Sequence, residues 1–245
     1  KLNAKQWRPL LYNMLYQVED EEELSIRSSA SFGLRRFMER AVLNDVEAFE
    51  PLVADVLFPA LQSGVRQKSE LIRSEFITAL GYFVKLNPDR SNVQDLHVLL
   101  VGDDEEASFF NNVLHIQQHR RLRALRRLAS EAGKGNIQAS NISTIFIPLN
   151  EHFVFDEEAD EATHNLIAEA VTTIGALAEW LDWNQFRAIF RRYRGYMQSK
   201  SDMEKNIIRL LGKMADALTN AMNQHTTIKA AAKDGMDGLE TSSPV

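Results

Sequence analysis

The N-terminal part of the sequence repeats itself. Residues 26–28 and 72–74 both read Ile-Arg-Ser, an offset of about 46 residues. The same offset relates Leu34 to Leu80 and Phe37 to Phe83. Apolar residues around both segments recur at helical spacing, so each segment is predicted to lie on a helix. A repeat of this length is typical of HEAT and armadillo units, in which each unit is a pair of helices. One pair cannot bury its apolar face alone, so the repeat predicts a stack of pairs.

Extending this pattern along the chain predicts five pairs of helices. In chain order, the predicted first and second helices are 7–18 and 23–42, 51 onward and 69–86, 93–101 and 115–129, 136–151 and 162–180, and 183–198 and 203–224. Prolines at 9, 59 and 148 fall inside predicted first helices, where HEAT units commonly carry a kinking proline. Residues 141–149 also suit a strand by composition, but the surrounding period favours a helix. We therefore predict an all-α fold, a HEAT/armadillo-type α-solenoid of about five helical pairs.

The domain organisation follows from the places where this periodicity breaks. Residues 1–226 are assigned to HEAT-like helical repeats, with an acidic insertion at 102–112 where a proline at the same period is missing. Four consecutive acidic residues at 103–106 repel one another, so 103–112 is expected to be a mobile loop. Residues 227–245 lack apolar periodicity and are predicted to be a linker or disordered tail. The chain begins without Met and the stack has open ends, which leads us to expect a segment of a longer chain.

The strongest concentration of charge follows the acidic run. In the helix predicted at 115–129, leucines share one face, while five arginines between positions 120 and 127 occupy other arcs. We predict that this surface binds RNA phosphates or an acidic protein segment. The candidate residues are His119, Arg120, Arg121, Arg123, Arg126 and Arg127. Second helices usually line the concave surface of such a stack, so Arg120, Arg123 and Arg127 are expected to face that groove. Glutamate at these three positions is expected to leave the fold nearly intact.

A second basic patch is predicted on the helix at 183–198. Arg187, Arg191 and Arg194 share a narrow arc of the helical wheel and are further candidates for RNA or acidic-partner binding. The apolar stripe beside them consists of Phe186, Ile189, Phe190, Tyr193 and Met197. Its aromatic residues are interpreted as core residues rather than as platforms for base stacking. Because this is a first helix, we expect the patch on the outer surface.

Residues 103–157 resemble a known family. The matching features are the acidic run at 103–106, Phe109-Phe110, His-Ile-Gln at 115–117, His-Arg-Arg at 119–121, Arg-Ala-Leu at 123–125, Pro148, and Phe-Asp-Glu at 155–157. They are similar to the signature of the giant HEAT-repeat protein of the small-subunit processome, a family also called down-regulated in metastasis and associated with the U3 small nucleolar RNA. The resemblance implies a non-enzymatic scaffold in the nucleolus, within the nucleus, that supports processing of the small-subunit ribosomal RNA precursor. It also implies pre-ribosomal or small nucleolar RNA and other processome proteins as partners.

Composition and motif spacing favour no catalytic chemistry. The chain has no Cys, which removes disulfides, zinc-thiolate sites and cysteine nucleophiles and fits a reducing intracellular compartment. His115 and His119 have the spacing of two zinc ligands on a helix, but the two residues after His115 supply no carboxylate base and nearby arginines repel a cation. The most apolar stretch, 166–181, is interrupted by two glutamates and does not predict a membrane span. We predict no cofactor, no metal, no membrane association and no small-molecule substrate.

Three classes of function remain in competition. The first is a scaffold in a ribonucleoprotein assembly; the net charge of -6 requires any RNA contact to be local. The second is a HEAT-repeat adaptor that contacts only proteins, of the transport-receptor or phosphatase-scaffold type. The third is a helical enzyme that uses the two histidines and holds stoichiometric metal. Salt-dependent RNA binding distinguishes the first class from the second, and elemental analysis tests the third.

Overall fold

The computed structural model describes residues 2–43, 46–102, 104–156 and 163–237, and no strand occurs in these ranges. Its helices are α1 (Ala4–Val18), α2 (Leu24–Leu43), α3 (Val46–Leu52, a π-helical turn at Val53–Leu57, and Phe58–Gly64), α4 (Glu70–Leu86), a 3-10 helix (Gln94–Leu99), α5 (Phe109–Asn112), α6 (Gln118–Gly133), α7 (Ala139–Asn141, a π-helical turn at Ile142–Phe146, and Ile147–Phe155), α8 (His164–Ala178), α9 (Trp183–Ser199), a 3-10 turn (Ser201–Met203) and α10 (Glu204–Asp237). The predicted all-α class is confirmed, and residues 141–149 are helical.

The helices pack in the order of the chain. α1 contacts α2, α3 contacts α4, α7 contacts α8, and α9 contacts α10, so four predicted pairs are formed. The predicted second helices also contact one another: α2 with α4, α6 with α8, and α8 with α10, while the short α5 lies between α4 and α6. One hydrophobic cluster extends from Leu11 to Ala217 through all of these helices. Each helix therefore buries its apolar face against neighbours close in sequence.

Two first helices are interrupted by proline in the same way. Pro59 and Pro148 are each the second residue of an α-helical segment that follows a π-helical turn. Proline has no N–H to donate to the carbonyl four residues earlier, and the wider turn accommodates its ring. At Pro148 that carbonyl belongs to Thr144, and it accepts a hydrogen bond from Arg66 of α3 at 3.3 Å. The two prolines lie inside first helices as predicted, although α3 begins at Val46 and not at Pro51.

The third pair differs most from the prediction. Its first helix is a 3-10 helix at Gln94–Leu99, not an α-helix over 93–101, and its second helix begins at Gln118 rather than His115. With so short an element in this place, α3 reaches α7 directly, and Gln62 Nε2 donates to Thr144 Oγ1 at 3.2 Å. The repeat length alone did not indicate this shortening.

The acidic insertion ends in a packed helix. Phe109 and Phe110 of α5 are at most 2% exposed, and the Phe109 ring contacts the Phe146 ring of α7 at 5.6 Å between centroids. Gly81 of α4 makes room for this helix, because a Cβ at Gly81 would lie 2.6 Å from the Phe110 Cβ. The prediction of a loop is therefore wrong for 109–112. Loop mobility in 104–108 stays a prediction, and Asp103 lies outside the described residues.

Helix α10 extends into the segment predicted as a linker. It continues to Asp237, so residues 227–237 are helical in the structure, whereas 238–245 lie outside the described residues. Three alanines at 230–232 stand between two lysines, and both residue types favour helix. The lack of apolar periodicity was a poor guide here, because helix propensity does not require an amphipathic pattern.

Candidate functional site

Helix α6 buries the apolar stripe that the sequence predicts. Leu125 and Leu128 are fully buried, Ala124 is 3% exposed, and Leu122 packs against the core from a half-buried position. The remaining surface of α6 carries the predicted cluster of cations, which we call the α6 basic cluster and which comprises His119, Arg120, Arg121, Arg123, Arg126 and Arg127. Its members divide into side chains that hold the fold together and side chains that face solvent.

Arg121 belongs to a structural series that recurs in three pairs. Arg27, Arg73 and Arg121 are each the fourth residue of a second helix, and each donates to a carbonyl five to seven residues earlier, in the turn that precedes the helix. Arg27 and Arg73 are 3% and 4% exposed, and Arg121 also forms a bidentate pair with Glu70 of α4 at 2.6 and 3.0 Å. These guanidinium groups satisfy turn carbonyls that would otherwise lack donors. The Ile-Arg-Ser alignment was the sequence signal for this role, and Arg121 extends it to the third pair.

Arg120 attaches the acidic insertion to α6. Its guanidinium donates to the Asn112 side-chain oxygen at 2.6 Å and to the Glu106 carbonyl at 3.0 Å, and it lies 2.8 Å from His115 Nε2. Three contacts of one planar group with the insertion and the following turn fix the path of the chain before α6. This arginine is therefore a structural residue of the insertion.

Arg127 attaches α6 to the 3-10 helix that replaces the first helix of the third pair. One of its terminal nitrogens donates to the carbonyls of Val98 and Leu100, at 2.6 and 2.5 Å. The side chain is half-buried, and the two carbonyls lie at the end of the Gln94–Leu99 helix, where intrahelical donors run out. Arg120 and Arg127 line an open groove beside α6, but hydrogen bonds to the insertion and to the 3-10 helix hold both side chains in place. That these arginines face the concave surface of a solenoid stays a prediction.

Arg123, Arg126 and His119 are the exposed members of the α6 basic cluster. The Arg126 side chain is 67% exposed and pairs at 2.8 Å with Glu169 of α8, whose side chain is 17% exposed. Arg123 has no hydrogen-bond partner in the described ranges. It lines an open groove of about 370 Å³ between the insertion and α6, together with Asp104 and Glu106. The groove contains charges of both signs, so the free positive surface is smaller than the sequence suggested.

His115 is not arranged as a metal ligand. Its Nδ1 faces the backbone N–H of Gln117 at 3.0 Å, and its Nε2 faces Arg120. Burial, followed by the charges of Arg120 and His119, lowers the pKa of the His115 imidazole. Within the described ranges, no three His, Asp or Glu side chains are grouped closely enough to hold a metal ion.

The second predicted patch lies on α9. Arg187, Arg191 and Arg194 are exposed, and none has an ion-pair partner within the part of the chain that the structure describes. Phe186, Ile189 and Tyr193 are buried, as the core interpretation of the aromatic stripe predicts, whereas Phe190 is half-buried. The structure thus keeps these three arginines together on one exposed face.

A polar contact between α7 and α9 was missed in the sequence. The Tyr193 hydroxyl donates to Glu151 Oε1 at 2.7 Å, and Arg192 contacts the same oxygen. Burial raises the pKa of the Tyr193 phenol well above its usual value, and the nearby Glu151 carboxylate raises it further. Arg192 therefore serves the contact between helices, although its side chain is 40% exposed. This pairing distinguishes it from Arg191 and Arg194, which have no ion-pair partner in the described residues. The paired residues are about 40 positions apart in sequence, so the pairing is visible only once α7 and α9 are packed together in the structure.

The fold and these surfaces define an all-helical protein of successively packed helices with exposed arginine clusters. Among the described helices, none combines the length and apolar character needed to cross a bilayer.

Residues 1–69 match the family described as U3 small nucleolar RNA-associated protein 20, N-terminal. The U3 small nucleolar RNA-associated protein 20 of Schizosaccharomyces pombe is 41% identical over 216 residues, covering 86% of this chain and 8% of that protein. Its Saccharomyces cerevisiae counterpart is 34% identical over 221 residues, covering 89% of this chain and 9% of that protein.

The chain belongs to the U3 small nucleolar RNA-associated protein 20 family, as the resemblance in residues 103–157 implied. The family match covers residues 1–69, outside the segment that carried the resemblance, so two separate parts of the chain lead to one family. The chain spans less than a tenth of the length of these two relatives.

Proposed function

We propose that this chain is a structural scaffold segment of a nucleolar pre-ribosomal particle and supports processing of small-subunit ribosomal RNA. The proposal rests on sequence similarity. Over most of its length, the chain is 41% and 34% identical to two proteins named for association with the U3 small nucleolar RNA. The segment acts in the nucleus, in the nucleolus, by binding and without catalysis. Its partners are pre-ribosomal RNA, small nucleolar RNA and other proteins of the particle.

The proposed architecture is a HEAT-type α-solenoid. Support comes from the packing order, in which α2 contacts α4 and α6, α8 and α10 contact one another in succession, while the short α5 lies between α4 and α6. The recurring arginines at positions 27, 73 and 121 support it further, because the same side chain performs the same task in three consecutive pairs. Such a stack offers a long, continuous surface, which suits a scaffold.

Within this scaffold, Arg123, Arg126 and His119 are the proposed RNA contacts of α6. They lie on one second helix, at its exposed surface, and their side chains are not required to hold the insertion or the 3-10 helix. Exposed guanidinium groups bind phosphate oxygens with charge-assisted hydrogen bonds. The remaining arginines of the α6 basic cluster hold the neighbouring turns in place, and their charges add to the positive potential around the proposed RNA contacts.

The test compares RNA binding by the wild-type chain with binding by an Arg123→Glu/Arg126→Glu variant. The matched control is Lys5→Glu/Arg8→Glu, which makes the same charge change on exposed residues of α1. Affinity for U3 small nucleolar RNA and for a precursor ribosomal RNA transcript is measured between about 50 and 200 mM salt. The α6 variant should bind more weakly. A plot of the logarithm of its binding constant against the logarithm of the salt concentration should also be less steep, by roughly 0.7 to 0.9 for each phosphate that the variant no longer binds.

Three results would contradict parts of this proposal. Equal reductions of affinity in the α6 variant and the α1 control would show that overall charge, and not the α6 surface, governs binding. Unchanged affinity and slope in the α6 variant would make the cluster a solvated face. If the wild-type chain binds neither RNA, the segment contacts only proteins.

A further inference from the structure

The exposed arginines of α9 stand beside an apolar groove. The groove has a volume of about 510 Å³ and lies between α9 and α10. Trp183, Phe186 and Phe190 form its α9 wall, and Ala215 and Leu218 form its α10 wall. Trp183 is 60% exposed, a costly position for so large an apolar side chain in water. We propose that this groove, which we call the α9–α10 groove, binds an acidic amphipathic helix of a partner protein.

The three aromatic rings form a continuous row along α9. Trp183 and Phe186 are separated by 6.1 Å between centroids with 11° between ring planes, and Phe186 and Phe190 by 6.0 Å with 13°. Trp183 is exposed, Phe190 is half-buried and Phe186 is buried, so the row forms an apolar floor to the groove, and the small Ala215 on the facing helix leaves space above it. Leucine-type side chains repeating at i, i+3 or i+4, and i+7 fit such a groove, the mode in which amphipathic helices bind.

The rim of the groove specifies the charge of its occupant. Arg187, Arg191 and Arg194 all line it, at the i, i+4 and i+7 spacing that places them on one side of α9. Each is exposed, and among the described residues no acidic side chain lines the groove. A helix with glutamate or aspartate beside its apolar stripe therefore gains three cationic neighbours. The groove at α6 differs in this respect, because Asp104 and Glu106 line it.

The dimensions agree with a short helical ligand. From Trp183 to Arg194 the α9 wall spans eleven residue steps, or about 16 Å at 1.5 Å per residue. A bound helix of about three turns covers this length. Of the three rings only Trp183 is largely exposed, so the row offers little free ring face for base stacking, and the opposite wall of Ala215 and Leu218 is aliphatic, which favours a protein helix over nucleotide bases. This inference is independent of RNA binding by α6.

The chain itself supplies the fluorescence probe. It contains three tryptophans, at positions 7, 180 and 183; Trp183 is largely exposed, and the other two are half-buried. The probe peptide has about sixteen residues with leucines in an amphipathic stripe and glutamates beside it. The comparison peptide has lysine in place of each glutamate. Binding of the acidic peptide should shift the tryptophan emission to shorter wavelength, and Trp183→Phe should abolish that shift.

Charge reversal tests the arginine rim. A variant with Arg187→Glu, Arg191→Glu and Arg194→Glu should bind the acidic peptide roughly 3- to 150-fold more weakly, from the usual strength of three exposed ion pairs. The same variant should bind the lysine peptide more tightly than the wild-type chain does. Lys5→Glu/Arg8→Glu should bind both peptides as the wild-type chain does. The circular-dichroism spectra of all variants should match, since the altered residues are exposed.

Two outcomes would overturn the proposal. If the wild-type chain binds both peptides equally or neither of them, the rim does not select acidic helices. If single-stranded RNA quenches Trp183 and displaces the acidic peptide at equal or lower concentration, the groove is a nucleic-acid site. Neither outcome affects the proposed scaffold function, which is tested with the α6 variant.

Discussion

Arg127 and Arg123 stand one turn apart on α6, and the structure predicts different consequences when each is replaced by alanine. Arg127→Ala removes two hydrogen bonds, of 2.6 and 2.5 Å, to the carbonyls of Val98 and Leu100. A hydrogen bond from a charged group contributes about 1.5–3 kcal/mol, and the two share one half-buried nitrogen, so we expect destabilisation by about 1.5–3 kcal/mol in total. Arg123→Ala removes an exposed side chain without a partner in the described ranges, and its effect should lie within about 0.5 kcal/mol of zero.

The measurement is urea and thermal unfolding of both variants, monitored by circular dichroism. In a chain of this size, destabilisation by about 1 kcal/mol lowers the Tm by roughly 2–4 °C, so Arg127→Ala should unfold roughly 3–12 °C below the wild-type chain. Arg123→Ala should unfold within about 2 °C of it. Equal midpoints for the two variants would refute the assignment of Arg127 to the fold. A large effect of Arg123→Ala would refute its assignment to the free surface.

Two further predictions concern the insertion and the turn before α6. Phe110→Ala should destabilise the chain by about 3–5 kcal/mol, the usual cost of truncating a buried phenylalanine, and unfolding midpoints measure it; an effect below about 1 kcal/mol would show that α5 is not part of the core. The His115 imidazole should titrate below its ordinary pKa of 6.5 in NMR spectra, because burial and nearby positive charges disfavour the protonated ring. Because the pKa is lower in the folded than in the unfolded chain, the contribution of His115 to stability should be complete above pH 6.5 and should be lost as the pH falls through the folded-state pKa. A measured pKa at or above 6.5 would contradict this reasoning.

The long helices could be predicted from the sequence, because each is indicated by several local features at once. Apolar spacing predicted α2, α4, α6 and α9 to within a few residues, and the Ile-Arg-Ser repeat located two buried arginines with one structural task. The third pair was less predictable, because its short 3-10 helix and the packing of Phe109 and Phe110 depend on distant partners. Phe110 needs the missing side chain of Gly81, and that contact has no local sequence signature.

The candidate site was predictable in place but not in the role of each residue. A helical wheel distinguishes buried from outward positions, so it correctly separated Leu125 and Leu128 from the arginines. It does not show what lies beside the helix. Arg127 reaches the 3-10 helix and Arg121 reaches Glu70 because those elements pack next to α6. Both arginines look free in sequence and are partly buried in the fold.

This distinction changes how the α6 basic cluster should be tested. Glutamate at Arg120, Arg123 and Arg127 was expected to leave the fold nearly intact, but Arg120 and Arg127 donate hydrogen bonds to four acceptor groups in the insertion and the 3-10 helix. A carboxylate there removes the donors and places negative charge beside carbonyl oxygens, which costs more than an exposed substitution. Weaker RNA binding in that triple variant would follow from a displaced insertion as readily as from the removal of cations that bind phosphate. The exposed pair of Arg123 and Arg126 reduces this ambiguity, because neither side chain donates to the insertion or to the 3-10 helix, and the hydrogen bond of Arg126 in the described ranges is to the Glu169 side chain of α8.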